Sequence, residues 1–285
     1  MKTKHFLPLL ILIAAHACTN EPSHTNVILI YADDMGYGDV ACYGNPTIKT
    51  PHLDNLAETG VKYTQFYVTS PVCSPSRSSL LSGCYPKRIE MHKHVIFPHY
   101  RYGINPDETL LPELFKDAGY RTACFGKWHL GHQTPFLPLQ NGFDEYYGIP
   151  FSNDMSKKEQ AKRGNKNYAH FLPLMEGNDT LELDPDQTLL TKLLTERSVQ
   201  FIQENKDEPF FLYFPHPMPH IPIYSSEAFI DTSLRGTYGD VIEEMDWSVG
   251  QIIQTLKEND IYDQTFVFFS SDNGPWLPFK TEGGS

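Results

Sequence analysis

Long hydrophobic runs are almost missing from this chain of 285 residues. The stretch Phe6 to Ala15 follows Lys2 and Lys4 and is too short to cross a bilayer comfortably. A basic start followed by a short apolar run reads as an export signal over residues 1–17. Ala15-His16-Ala17-Cys18 leaves two processing routes open: ordinary cleavage after Ala17, or lipidation of Cys18. The protein is then periplasmic, or an outer-membrane-anchored lipoprotein of a bacterium, with residues 18–25 as a polar linker. No other segment approaches spanning length, so membrane contact is expected only through that lipid anchor.

Positive charge is scarce as well. Lys and Arg number 23 against 35 Asp and Glu, giving a net charge of −12, and no basic tract offsets it. That argues against nucleic acid as a partner. It leaves room for an anionic substrate, because a few local cations override the average field. Cysteine is sparse too, at five residues. With Cys18 assigned to lipid and Cys73 to the chemistry below, Cys42, Cys84 and Cys124 remain. They form at most one bridge, or serve as small buried hydrophobes, so this is no disulfide scaffold. Repeats and low-complexity tracts are absent, and the length suits one large catalytic domain over residues 26–285.

What the chain does have is alternation of strand and helix patterns. Val27 to Tyr31 is a continuous apolar run, as in a strand buried on both faces. Thr50-Pro51 to Ala57, stopped by Gly60, predicts a capped helix. Val61 to Tyr67 predicts a strand, and Thr109 to Ala118 a helix leading into a strand at Tyr120 to Phe125. Asp186 to Gln203 and Asp240 to Lys257 carry apolar residues at helical spacing; Pro209 to Phe214 and Thr265 to Phe269 predict strands. Pro135 to Pro185 lacks a strong period and reads as loops and short elements. The pattern predicts an α/β fold: a mostly parallel central sheet with helices on both faces. Chemistry in such folds gathers beyond the carboxyl ends of the strands.

Asp33-Asp34 follow the first predicted strand and Asp272-Asn273-Gly274 follow the last. Singly, each is an ordinary turn or capping sequence. Together they form an all-oxygen set suited to Ca²⁺ or Mg²⁺, since zinc would more typically take His or Cys. Between them lies Cys73-Ser74-Pro75-Ser76-Arg77, running on to Leu81-Ser82-Gly83.

That string resembles the sulfatase signature C-x-P-S-R-x-x-x-L-[ST]-G at every specified position. Val27 to Asp39, Gly126 to Gly131 (GKWHLG) and Ser270 to Gly274 (SSDNG) also resemble arylsulfatase motifs, in the family's order. The resemblance implies an alkaline-phosphatase-like fold and calcium held by Asp33, Asp34, Asp272 and Asn273. It implies that a formylglycine-generating or anaerobic sulfatase-maturating enzyme oxidises Cys73 to formylglycine. Arg77, four residues on, would share a helix face with Cys73 and hold the modified residue and its anion. Lys127 would bind sulfate and His129 the formylglycine hydrate, with strand alternation turning both to one side. Ser152 resembles a sulfate-contacting position, though a plain loop serine reads nearly as well. His220 matches a sulfate-contacting histidine able to protonate the leaving alcohol, while His216 in the same loop is the weaker match.

The implied reaction is hydrolysis of sulfate esters, on sulfated glycans in an exported bacterial protein. One hydroxyl of the hydrated aldehyde attacks sulfur; the second then allows sulfate to be expelled. One departure stands out. Family members usually carry a further lysine after the Asp-Asn-Gly segment and then a smaller C-terminal domain; here Lys280 lacks that context, and neither feature appears before Gly283-Gly284-Ser285. A shortened, non-catalytic homologue is therefore an alternative. A related phosphatase or phosphodiesterase is a weaker one, because those relatives use Ser or Thr as nucleophile and usually zinc.

Overall fold

In a computed structural model, described here for residues 24–282, strands and helices follow one another as the apolar periodicities require. The strands are β1 (Asn26–Ala32), β2 (Arg121–Lys127), β3 (Glu145–Ile149), β4 (Pro173–Glu176), β5 (Asp179–Leu183), β6 (Phe210–Pro215) and β7 (Thr265–Ser271). They form one seven-stranded sheet in the order β5-β4-β3-β2-β6-β1-β7. β3, β2, β6, β1 and β7 run parallel, and β4 is antiparallel to both its neighbours.

β1 shows why a continuous apolar run was needed. Ile28, Ile30 and Ala32 enter one hydrophobic cluster and Leu29 and Tyr31 the other, so both pleat faces are covered. Full burial of each aliphatic side chain is worth about 1.5–3 kcal/mol. The first face is covered by α1 (Pro51–Thr59), α5 (Leu190–Glu204) and α6 (Thr237–Glu258), through Leu53, Leu194, Phe201, Val249 and Ile252. The second meets α2 (Cys73–Ser82) and α3 (Leu111–Asp117), with Leu81, Leu110, Trp128 and Phe143 in its core. None of the helices among the described residues is long and apolar enough to cross a membrane. The expected export signal and Cys18 lie outside the described residues.

One expectation needs correction. Val61 to Tyr67 forms no strand; Val61 and Tyr67 are 76% and 78% exposed. Strand propensity reports fitness for a pleated surface, and this segment pairs with none of the described strands. Pro135 to Pro185, expected as loops and short elements, supplies β3, α4 (Lys157–Lys162), β4 and β5, none longer than 6 residues. The β4–β5 hairpin turns at Gly177-Asn178 with Gly177 at φ +60°, and its strands are too short to declare a period. The cysteines at 42, 73, 84 and 124 are free thiols; Cys124 is fully buried, as a small hydrophobe would be.

Candidate active site

Parallel strands deliver their carboxyl ends to one edge, and the predicted residues lie there. Asp33 and Asp34 leave β1; Asp272 and Asn273 leave the adjacent β7, where Ala32 is in register with Ser271. The two exits are tied together. The Asp272 amide donates to the Ala32 carbonyl (3.0 Å), the Asp34 amide to Asp272 Oδ1 (3.1 Å), and Asn273 Nδ2 to Asp34 Oδ1. Asp34 turns at φ +62°, a conformation Asp tolerates better than most residues. All four side chains are buried.

Cys73 is the first residue of α2 and is buried there. Arg77, one turn later, is also buried, but its guanidinium reaches the carboxylates. Nε and NH2 approach Asp272 Oδ2 at 3.0 and 2.8 Å, NH2 lies 3.6 Å from Asp33 Oδ1, and NH1 donates to the Lys127 carbonyl at 2.7 Å. Arg77 therefore bridges β1, β2 and β7, a wider role than holding residue 73. The helix start is braced from both sides: Tyr31 Oη lies 3.2 Å from Ser76 Oγ, and Ser74 Oγ accepts the Ile96 amide at 2.9 Å.

Lys127 ends β2 fully buried. Its ammonium donates to Asp33 Oδ2, to Ser152 Oγ (3.2 Å) and towards Cys73 Sγ (3.7 Å). Gly126 explains how it arrives. With φ at +140°, a Cβ there would sit 1.9 Å from the Pro215 carbonyl oxygen, so only glycine lets β2 and β6 close up before Lys127. His129 does not follow from strand alternation. The backbone turns at φ +60°, and Nε2 pairs with the Ile96 carbonyl at 3.1 Å. His220, after β6, places Nδ1 2.6 Å from its neighbour's carbonyl, Nε2 3.7 Å from Asp34 Oδ2, and its ring 6.2 Å from Trp276. Ser152 Oγ lies 3.5 Å from the His220 ring nitrogens.

Three carboxylates crowd this edge. Burial, with Asp33 alongside, pushes Asp34 up to about 6 and Asp272 likewise to about 6. Burial pushes the Cys73 thiol well up; Lys127 opposes this while the three aspartates reinforce it. Unmodified, it is a neutral thiol, and the thiolate is the reactive form. Burial works against a charge on Lys127, yet Asp33 holds its ammonium above the ordinary lysine range. His129 is kept neutral by burial and by Lys127 and Arg77; burial and Lys127 lower His220 while Asp34 opposes them.

Asp33, Asp34 and Cys73 each offer a ligand atom within 4.8 Å of the others, a group able to hold a metal ion. Asp33 Oδ1 and Asn273 Oδ1 are buried without a hydrogen-bond donor, as oxygens facing a cation would be. His129 Nδ1 is likewise a buried ring nitrogen with no hydrogen-bond partner. Every predicted site residue is in this assembly. His216 is not: its ring packs at a tilt against Phe214 (4.3 Å, 44°) with Nε2 3.5 Å from Ser248 Oγ on α6. The sequence reading missed Ile96, whose backbone clamps Ser74 to His129. A backbone contact carries no side-chain signature, so no pattern announced it.

The chain has known relatives. Residues 25–283 match the Sulfatase family model. N-acetylgalactosamine-6-sulfatase of Sus scrofa is 38% identical over 99% of this chain, and human arylsulfatase A 35% over 97%. The chain spans about half the length of these curated relatives, 56% and 57%. The crystal structure of Ps i-CgsB in complex with k-i-k-neocarrahexaose superposes with a TM-score of 0.78 at 31% identity, covering 88% of this chain and 59% of that one. Family model, sequence relatives and a structural neighbour agree: the chain belongs to the sulfatase family.

Proposed function

We propose that this chain carries the catalytic half of an exported sulfuric ester hydrolase acting on sulfated glycans, with Cys73 matured to formylglycine. The observation that carries the reading is the approach of Lys127 Nζ to within 3.7 Å of Cys73 Sγ, beside Asp33 and Asp34. A nucleophile, a cation for the sulfate oxygens and a metal-holding carboxylate set share one strand edge. The Ps i-CgsB complex holds a neocarrahexaose, and the Sus scrofa relative is named for a sulfated amino sugar. Both support a glycan as substrate.

Calcium fits the donor set. Asp33, Asp34, Asp272 and Asn273 would hold it, the buried Oδ1 atoms of Asp33 and Asn273 facing it. Hard oxygen donors favour Ca²⁺ or Mg²⁺, and a formylglycine oxygen at position 73 suits such an ion better than sulfur does. When bound, the ion would offset the crowded carboxylates and polarise sulfate oxygens. The formylglycine hydrate would supply the attacking hydroxyl.

The remaining work falls to the chain's own side chains. Lys127 and Ser152, 3.2 Å apart, would grip the sulfate, the ammonium matching charge that grows on its oxygens. Arg77 would keep Asp33 and Asp272 in place. His220, beside Ser152, would pass a proton to the departing alcohol. His129, held neutral with Nδ1 open, would accept the proton from residue 73 that releases sulfate.

The test is production with a maturation enzyme, followed by peptide mass analysis and assay on 4-nitrophenyl sulfate. Cys73 should be lighter by about 18 Da, the change from thiol to aldehyde, and the matured chain should release sulfate. An unchanged thiol, or a matured chain that cleaves phosphate esters but no sulfate ester, sinks the reading.

A further inference from the structure

The loop that clamps the catalytic residues has a second side. Ile96 gives its amide to Ser74 and its carbonyl to His129, and it also lines a cavity of about 550 Å³ with Arg88, Lys93, His94, Tyr102 and Asn105. That volume is in the range of small-molecule sites. Tyr100 and Tyr102 stack at 4.9 Å and 20°, and Tyr100 Oη lies 3.4 Å from His94 Nε2, which stiffens the rings before any ligand arrives. Tyr102 is 45% exposed.

The charge here runs against the rest of the molecule. In a chain of net charge −12, residues 87–101 carry Lys87, Arg88, Lys93 and Arg101 against Glu90 alone. Glu90 and Glu108 also line the cavity. A sterol or other apolar alcohol would desolvate these charges and offer them at most one hydroxyl. A sugar bearing an anionic group satisfies both signs: its hydroxyls donate to the carboxylates, its sulfate or carboxylate meets Arg88 and Lys93, and its C–H face lies on an aromatic ring.

We propose that this cavity is a subsite for the sugar next to the one desulfated, with Tyr102 as its stacking face and Arg88 and Lys93 as its anion contacts. The preferred substrate is then an oligosaccharide with more than one anionic group. The assignment rests on the sulfate-ester reading above, which puts the scissile group at Cys73; Ile96, bonded to Ser74 and His129, is the residue the cavity and the site share.

Calorimetric binding to the calcium-supplemented chain tests it, with a 6-sulfated N-acetylgalactosamine tetrasaccharide and 4-nitrophenyl sulfate as probes. Tyr102→Ala should weaken the tetrasaccharide about tenfold and leave 4-nitrophenyl sulfate within about twofold, with Tyr102→Phe restoring the loss. Arg88→Ala with Lys93→Ala should do the same, and added salt should mask the effect. Equal weakening of both probes, or unchanged tetrasaccharide binding, overturns the subsite. If the parent chain hydrolyses 4-nitrophenyl sulfate but binds no tetrasaccharide, the subsite is wrong and the sulfatase reading stands. If Tyr102-dependent binding occurs and no sulfate ester is cleaved, the sulfatase reading fails instead.

Discussion

The Arg77 guanidinium lies 2.8 Å from the Asp272 carboxylate, 195 residues further along the chain, and neither side chain touches solvent. Arg77 also faces Asp33, so one cation answers two buried carboxylates. Removing it strands Asp272 and leaves Asp33 with Lys127 alone. Arg77→Leu should cost about 3–5 kcal/mol in denaturant unfolding without calcium, the usual penalty for orphaning a buried charge. Arg77→Lys keeps the charge but loses the fork, and should fall between. A loss below about 1 kcal/mol for Arg77→Leu would show that the pair contributes little.

Calcium at the proposed site should stabilise the fold as well as serve the proposed reaction. At one hundred times its dissociation constant, a ligand that binds only the folded chain adds about 2.7 kcal/mol. Thermal melts with calcium and with a chelator should therefore separate by several degrees. Asp34→Asn should shrink that separation. Identical melts would exclude a calcium site in this chain.

Gly126→Ala tests how Lys127 is aimed. The added Cβ would meet the Pro215 carbonyl oxygen at 1.9 Å from a φ of +140°. Backbone must move, since no flexible side chain stands there to yield. The expected loss is at least about 3 kcal/mol, or failure to fold. Gly83→Ala is the control: its φ is also positive, at +67°, but nothing lies within 4 Å of its Cβ. It should cost about 1 kcal/mol. Equal losses at the two positions would refute the close-approach argument.

Asp246 makes a pH prediction away from the active site. It accepts the amides of His52 and Leu53 at the start of α1, and burial pushes its carboxyl up to about 6 despite those bonds. A raised folded value means the folded chain binds the proton more tightly than the unfolded chain does. This contribution is fully present below about pH 4 and is lost as pH rises through about 6. Asp246→Asn should flatten that part of the stability profile. A parallel profile for the variant would assign the slope to other groups.

Much of this was legible before any coordinates. β1 declared itself because a strand covered on both faces must be apolar at every position, and Asp33-Asp34 stood out by following it. The Cys73 string was legible because its residues act within one helical turn. Other features had no local signal. Val61 to Tyr67 has strand composition, but a strand needs a neighbour, and composition cannot say whether one is present. The positive φ at His129 and the backbone clamp of Ile96 arise from packing between loops far apart in sequence.

Sequence alone therefore determined the chemistry on offer: which residues carry charge, which oxygens suit a hard cation, and which cysteine sits in a sulfatase-like string. Those properties belong to side chains and short spacings. Tertiary structure decided what each group answers to. Arg77 meets Asp33 and Asp272, Lys127 comes to Cys73 through a gap that only Gly126 permits, and His216 is turned into the core while His220 faces the site. Such choices depend on strand order and register, which bring together segments up to 239 residues apart, as Asn273 and Asp34 are.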